Sequence, residues 1–214
     1  MIDPAYELIP IRESDDPLVL LKEDDFVLGH MYYLAGLSPI KEMYLRKTVI
    51  EKLLKIQKKL KTYRFKIWDG YRPREVQKNV YQKYWKELEV EHPDWNKEQL
   101  THATSTYVSI PDKPTRIPPH ATGGTIDLTL VDEKGKEVDM GTGFDFFGPE
   151  AAPYYFDEHD LNQEVKNHRK LFREAMFEEE FTINREEWWH FDYGNQVWAF
   201  EKKKPFAIFG EAQI

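Results

Sequence analysis

His120-Ala121-Thr122-Gly123-Gly124-Thr125-Ile126-Asp127-Leu128-Thr129-Leu130 is the stretch on which the reading of this chain turns. A histidine closes a proline-rich run, two glycines follow, and an aspartate then sits where Ile126, Leu128 and Leu130 alternate with polar residues. That alternation predicts a half-buried strand. An aspartate flanked by apolar neighbours needs a compensating cation or hydrogen bonds, because an unpaired buried carboxylate is very costly. Two readings meet the need. Asp127 pairs with an arginine or lysine, or it shares a divalent metal with His120, the glycines letting the backbone bend the two together.

Outward from this stretch, helices and short strands interleave. Leu45, Val49, Leu53, Ile56 and Leu60 have helical spacing, so 44–61 reads as an amphipathic helix with a solvated, lysine-rich outer face. Phe65–Trp68 reads as a strand closed by the turn-like Asp69-Gly70-Tyr71-Arg72-Pro73. A second helix is expected over 74–91, ended by Pro93, and a shorter one capped by Asp94 through about Thr101. Pro111, Pro114, Pro118 and Pro119 make 105–123 a loop. Beyond the central strand, Lys134-Gly135 is expected to turn it into a hairpin, and 141–148 is glycine- and phenylalanine-rich loop. A long helix near 160–178 carries Leu161, Val165, Phe172 and Met176. Trp188–Tyr193 reads as a final strand, with more strand at Val197–Phe200. The pattern predicts an α+β fold, a small antiparallel or mixed sheet packed against helices, rather than a doubly wound parallel sheet. No repeat or linker divides the chain, so residues 1–214 are expected to form one domain.

Composition narrows the function. The 214 residues contain no cysteine, which excludes a disulfide scaffold, cysteine-ligated zinc, iron–sulfur clusters and thiol catalysis. The formal charge of −8 argues against a nucleic-acid partner. No run approaches the ~18 apolar residues of a membrane span. The first residues lack a basic region followed by an apolar core, so a cytoplasmic location is expected. There is no phosphate-binding glycine loop, no G-x-S-x-G elbow and no dinucleotide fingerprint.

Two further segments can carry chemistry. In Arg185-Glu186-Glu187-Trp188-Trp189-His190-Phe191-Asp192-Tyr193, a histidine stands among aromatic residues with a carboxylate upstream. A lone histidine on an apolar strand is a core residue, but a glutamate beside it offers a third metal ligand and a carboxylate base on one segment. Positions three apart face opposite sides of a regular strand, so Glu187 is expected in a turn before it. Arg72, on the strand-to-helix turn, is either an exposed cation or a fixed guanidinium aimed at charge that develops on a substrate oxygen.

Four blocks then stand in order: Ile67-Trp68-Asp69-Gly70-Tyr71-Arg72-Pro73, the histidine-to-aspartate block that ends in Ile-Asp-Leu-Thr-Leu, Met140-Gly141-Thr142-Gly143-Phe144-Asp145-Phe146, and Glu187-Trp188-Trp189-His190. Over about residues 26 to 193 the chain resembles the VanX-type D-alanyl-D-alanine dipeptidases. These are zinc enzymes whose fold is shared with D,D-carboxypeptidases and the amino-terminal domain of Hedgehog proteins. The resemblance implies one zinc per chain on His120, Asp127 and His190, with water in the fourth position. It implies Glu187 as general base, Arg72 steadying the tetrahedral intermediate and Asp145 receiving the amino group of a small dipeptide. The alternatives are a carboxypeptidase or endopeptidase acting on longer wall peptides, and a zinc-stabilised binding module without turnover. The chain departs from the family at two places. Pro118 and Pro119 stand where serines usually precede the metal histidine, which makes the neighbouring wall less polar, and Leu20 falls where a substrate-contacting tyrosine is expected. His30, His92, His102, His159 and His168 match no motif and are expected to be surface or structural.

Overall fold

The computed structural model describes residues 4–111 and 116–214. In chain order the elements are β1 (Leu18–Leu20), β2 (Val27–Leu28), α1 (Met31–Leu34), β3 (Tyr44–Arg46), α2 (Lys47–Leu60), β4 (Arg64–Asp69), α3 (Arg74–Glu91) and α4 (Lys97–Tyr107). They continue with β5 (Thr125–Val131), α5 (Tyr155–Glu158), α6 (Gln163–Glu178), β6 (Thr182–Ile183), β7 (His190–Asp192) and α7 (Gln196–Glu201). Strand order in the main sheet is β2-β4-β5-β7-β6; β2 runs parallel to β4 and every other pair is antiparallel. The fold is α+β with a mixed sheet. Among the described residues no helix is long and apolar enough to cross a membrane.

β5 is the centre of the sheet and its register sets the site. Phe65 and Ile67 of β4 pair with Leu130 and Leu128, the ladder shifts at a bulge, and Asp69 then faces Asp127. On the other side His190 of β7 pairs directly with Asp127, and Asp192 with Thr125. Ile126, Leu128 and Leu130 join Phe65, Phe172, Met176 and Phe191 in the principal core, over which α2 and α6 lie. The opposite side of β5 is covered too, so all seven of its residues are buried, where alternation alone predicts a strand half exposed. A second, smaller cluster of Tyr32, Val76, Val80 and Val108 packs α3 and α4 beside the sheet.

Several expected boundaries move, each for a local reason. Tyr44–Arg46 continue the apolar stripe of α2 but pair with β1, and the helix opens only at Lys47. The helix after Pro93 starts later and runs further than expected. Asn96, not Asp94, caps it through reciprocal bonds with Gln99, and it reaches Tyr107, so part of the expected loop is helical. Pro119–Thr122 form one 3₁₀ turn. Asn162 caps α6, which leaves Leu161 outside the helix and exposed. Lys134-Gly135 does make a tight turn, yet only a single bridge, Val131 to Glu137, follows it. The last strand shrinks to His190–Asp192. Val197–Phe200 are helical rather than extended: the Asn195 side chain accepts the Trp198 N–H and starts α7, a distinction that a four-residue apolar run does not carry.

Candidate metal centre and active site

The β5–β7 register places Asp127 and His190 side by side, and the turn at Pro119–Thr122 brings in His120. The glycines that end this turn are both required. Gly123 has a positive φ of 69°, and a β-carbon on Gly124 would collide with the Tyr193 carbonyl oxygen. His120 Nε2 lies 3.3 Å from Asp127 Oδ2, and His190 Nδ1 lies 3.1 Å from Asp127 Oδ1. One ligand atom from each of the three sits within 4.8 Å of the others, and all three residues are buried.

Each remote ring nitrogen faces an oxygen, that of His120 in a hydrogen bond and that of His190 at ion-pair distance only. His120 Nδ1 donates to the Gly70 carbonyl oxygen at 2.8 Å, which leaves Nε2 as the lone pair facing Asp127. His190 Nε2 faces Asp192 Oδ2 at 3.5 Å. Asp192 is itself held by Thr125 Oγ1 at 2.7 Å and Asn195 Nδ2 at 2.6 Å. Orienting partners of this kind fix which nitrogen a metal-binding histidine presents. Burial acts to raise the Asp127 carboxyl, but the His120 and His190 imidazoles win and hold it well below the usual range. Its Oδ1 is nonetheless buried without a hydrogen-bond partner among the described residues, since His190 Nδ1, though near, is misaligned. Two inward imidazole nitrogens around an unsatisfied carboxylate oxygen are the donor set that zinc takes. The site fits that ion.

Glu187 lies in the irregular segment just before the Trp188-Trp189 turn, as its spacing from His190 requires. Its Oε2 is 3.4 Å from His190 Nδ1, the nitrogen on the inward side, and accepts a bond from Asn184 Nδ2 at 3.1 Å. Burial pushes the Glu187 carboxyl up to about 8, against the pull of His190.

Arg72 is buried, so the exposed-cation reading is discarded. Its Nε donates to Asp69 Oδ2 at 2.8 Å, its Nη1 to Gln77 Oε1 at 2.9 Å and its Nη2 to the Tyr32 hydroxyl at 3.2 Å. Nη2 also reaches Asp127 Oδ2 at 3.4 Å, so Asp127 has a distant arginine partner as well as the histidines. The Tyr32 hydroxyl in turn donates to Asp145 Oδ2 at 3.3 Å. Asp145 sits in a left-handed backbone conformation, φ 56°, and burial pushes its carboxyl up to about 7.

One cavity of about 200 Å³ is lined by all six of the residues singled out in the sequence: Arg72, His120, Asp127, Asp145, Glu187 and His190. Sequence reading missed Tyr32, Asp69, Gln77 and Asn184. Asp69 lay inside a quoted motif, and Gln77 stands one helical turn beyond Arg72, but neither spacing nor residue type gave them a role. Leu20, 47% exposed, is absent from the cavity, whereas Tyr6 and Pro119 line it. The five other histidines stay outside the cluster: His92 stacks on Trp95, His159 on Tyr155, His30 and His168 bond to backbone oxygens, and His102 is exposed on α4.

Residues 35–208 match the D-ala-D-ala dipeptidase family, Peptidase_M15. A D-alanyl-D-alanine dipeptidase of Synechocystis sp. is 28% identical, the alignment covering 92% of this chain and 89% of that protein. The D-alanyl-D-alanine dipeptidase of Enterococcus faecalis is 31% identical over 134 residues, 60% of this chain and 61% of its own length. A solved mutant of the vancomycin-resistance D,D-pentapeptidase VanY from a VanB-type cassette, in complex with Zn(II), aligns over 93% of both chains at 16% identity and a TM-score of 0.45. With the family match spanning most of its length, and one relative aligned almost end to end, this chain belongs to the D-ala-D-ala dipeptidase family of M15 peptidases.

Proposed function

We propose that this chain is a zinc-dependent dipeptidase that hydrolyses D-alanyl-D-alanine, or a similar small dipeptide, to free amino acids. The observation that carries the reading is the approach of Glu187 to the inward side of the His120–Asp127–His190 cluster, in the cavity that Arg72 and Asp145 also line. A non-catalytic zinc module would close its metal with a fourth protein ligand and would need no base; here the group numbers three among the described residues and the carboxylate is at hand.

His120 through Nε2, Asp127 through its carboxylate and His190 through Nδ1 would hold the ion. Zinc bound there supplies a Lewis acid that polarises a carbonyl and lowers the pKa of a water towards 7. Glu187 takes the proton of the attacking water on Oε2 and delivers it to the leaving amine nitrogen, a contribution of about 10²–10⁴ in rate. Arg72 donates to the substrate oxygen as negative charge gathers on it, and Asp69 and Gln77 keep the guanidinium from turning away. Asp145 receives the free ammonium, and the Tyr32 hydroxyl steers that carboxylate.

The test is amino-acid release from a panel of D,D-, L,D- and L,L-dipeptides, an N-acetylated D,D-dipeptide and one wall pentapeptide, with metal analysis of the same preparation. Turnover of D-alanyl-D-alanine that is lost on acetylation supports the proposal. Equal rates on acetylated and free dipeptides would replace it with a carboxypeptidase.

A further inference from the structure

A dipeptide brings two charged ends, and Asp145 accounts for only one. Pro118 and Pro119 contribute neither a hydroxyl nor an N–H at the start of the His120 turn, and Arg72 is committed to Asp69, Gln77, Tyr32 and Asp127. The polarity lost at the prolines returns from elsewhere. Arg116, on the same loop, and Tyr6, from the amino-terminal segment, both line the cavity with Pro119 between the turn and the void. The Arg116 guanidinium stands over the Tyr6 ring at 5.3 Å, and its Nη2 donates to Ser109 Oγ at 3.0 Å. Its Nε is buried and has no hydrogen-bond partner among the described residues. The Tyr6 hydroxyl, on a residue 2% exposed, is likewise unpartnered. Burial keeps that phenol protonated and thus a donor.

The backbone beneath Arg116 is built rather than loose. Arg74 Nη2 donates to the Arg116 carbonyl oxygen at 3.0 Å, while Arg74 Nε and Nη2 grip Glu211 at 2.7 and 2.9 Å and its Nη1 donates to the Pro111 carbonyl. Arg72 and Arg116 are the two arginines on the cavity wall; Arg72 is spent mostly on protein partners and keeps one Nη1 N–H for the substrate oxygen, while Arg116 has its Nε without a partner among the described residues. A guanidinium with an unpartnered N–H over the ring of a phenol whose own O–H lacks a partner brings two donors to one stretch of the cavity wall, the chemistry that receives a carboxylate.

We infer that Arg116 and Tyr6 form the subsite that holds the free carboxylate of the dipeptide, in place of the hydroxyls that the two prolines cannot offer. The inference rests on the dipeptidase reading above. It makes this chain selective for a free carboxyl end by charge, through residues 110 positions apart in sequence that no single motif joins.

The experiment compares kcat/KM for D-Ala-D-Ala and its carboxyl-terminal amide in the zinc-loaded wild type, Arg116→Gln, Arg116→Lys and Tyr6→Phe. The wild type should favour the acid by about 100-fold, as expected when one partner of a close charge pair is removed. Arg116→Gln should shrink that ratio below about 10, mainly through KM, Arg116→Lys should restore part of it because a point charge lacks the fork, and Tyr6→Phe should cost the acid about 5-fold. An acid-to-amide ratio in Arg116→Gln equal to the wild type's, with unchanged circular dichroism, overturns the subsite. Equilibrium titration of zinc-loaded Glu187→Gln, with and without Arg116→Gln, followed by tryptophan fluorescence, reads the same acid-over-amide preference without turnover. A wild type that hydrolyses no dipeptide would sink the dipeptidase reading, and the titration would still decide whether Arg116 binds the carboxylate.

Discussion

Asp127 and His190 are direct cross-strand partners, paired in the β5–β7 ladder with Oδ1 of one 3.1 Å from Nδ1 of the other. The separation is a hydrogen-bond distance with no hydrogen bond at Asp127 Oδ1, and the pairing joins the centre of the sheet to the candidate metal centre.

Replacing His190 by Ala should therefore strip the metal while leaving the sheet. Wild-type protein should carry about one zinc per chain, and its Tm should rise on zinc addition, since a ligand at 100 times its Kd stabilises by about 2.7 kcal/mol. His190→Ala should lose both the zinc and the rise. Full occupancy in the variant, by elemental analysis, would remove His190 from the ligand set.

Asp192 is not among the residues that line the cavity but faces His190 Nε2 at 3.5 Å, with Thr125 and Asn195 behind it. Asp192→Asn should weaken zinc binding by about 10–100-fold, the usual effect of losing an orienting partner. Competition with a chromophoric chelator measures it. An unchanged affinity would show that the imidazole needs no such support.

Glu187→Gln should retain zinc and fold while turnover falls by about 10²–10⁴, because an amide accepts no proton from water. Glu186→Gln, at the neighbouring half-buried position, should stay near wild type. The opposite ranking in a steady-state assay would move the base to Glu186.

The acid limb of activity should report Asp145. Its carboxyl sits at about 7 because burial disfavours the charge, so the anion that binds an ammonium is present above that pH and lost below it. A cation bound beside Asp127 draws this value down, since the charge on Asp127 is the next contribution holding it up. kcat/KM for a free dipeptide should thus fall on the acid side, where protonation of Glu187, also raised by burial, adds to that of Asp145, and Asp145→Asn should lower the plateau and make that limb less steep. An identical acid limb in Asp145→Asn would assign it to another group.

The centre was legible in the sequence because its parts lie on short, chemically loud segments. His120 and Asp127 are separated by two glycines that only a bent backbone needs, and Glu187 and His190 share one aromatic run. The supporting groups were not legible, for a physical reason. Tyr32, Gln77 and Asn184 act through distances set by packing between elements far apart in the chain, and a tyrosine or an amide is equally at home on any surface. Arg116 was hidden the same way, since a loop arginine near prolines has no periodicity to give it a direction. α3, with its long apolar stripe, was read to the residue, and α2 and α6 were read at their C-terminal ends to within one residue. Errors gathered where tertiary pairing or a side-chain cap overrides the stripe, as at Tyr44–Arg46, Asn96 and Asn195.

The five-stranded sheet ends on each side in a strand of two residues, β2 at Val27–Leu28 and β6 at Thr182–Ile183. Strand edges are adhesive: a row of open N–H and C=O groups recruits any extended segment, including one from another copy. Here the long, fully buried β5 is kept four strands deep in company, and what faces outward is too short to template a neighbour. The arrangement shields a sheet that carries the candidate metal centre from edge-to-edge aggregation by the shortness of its borders.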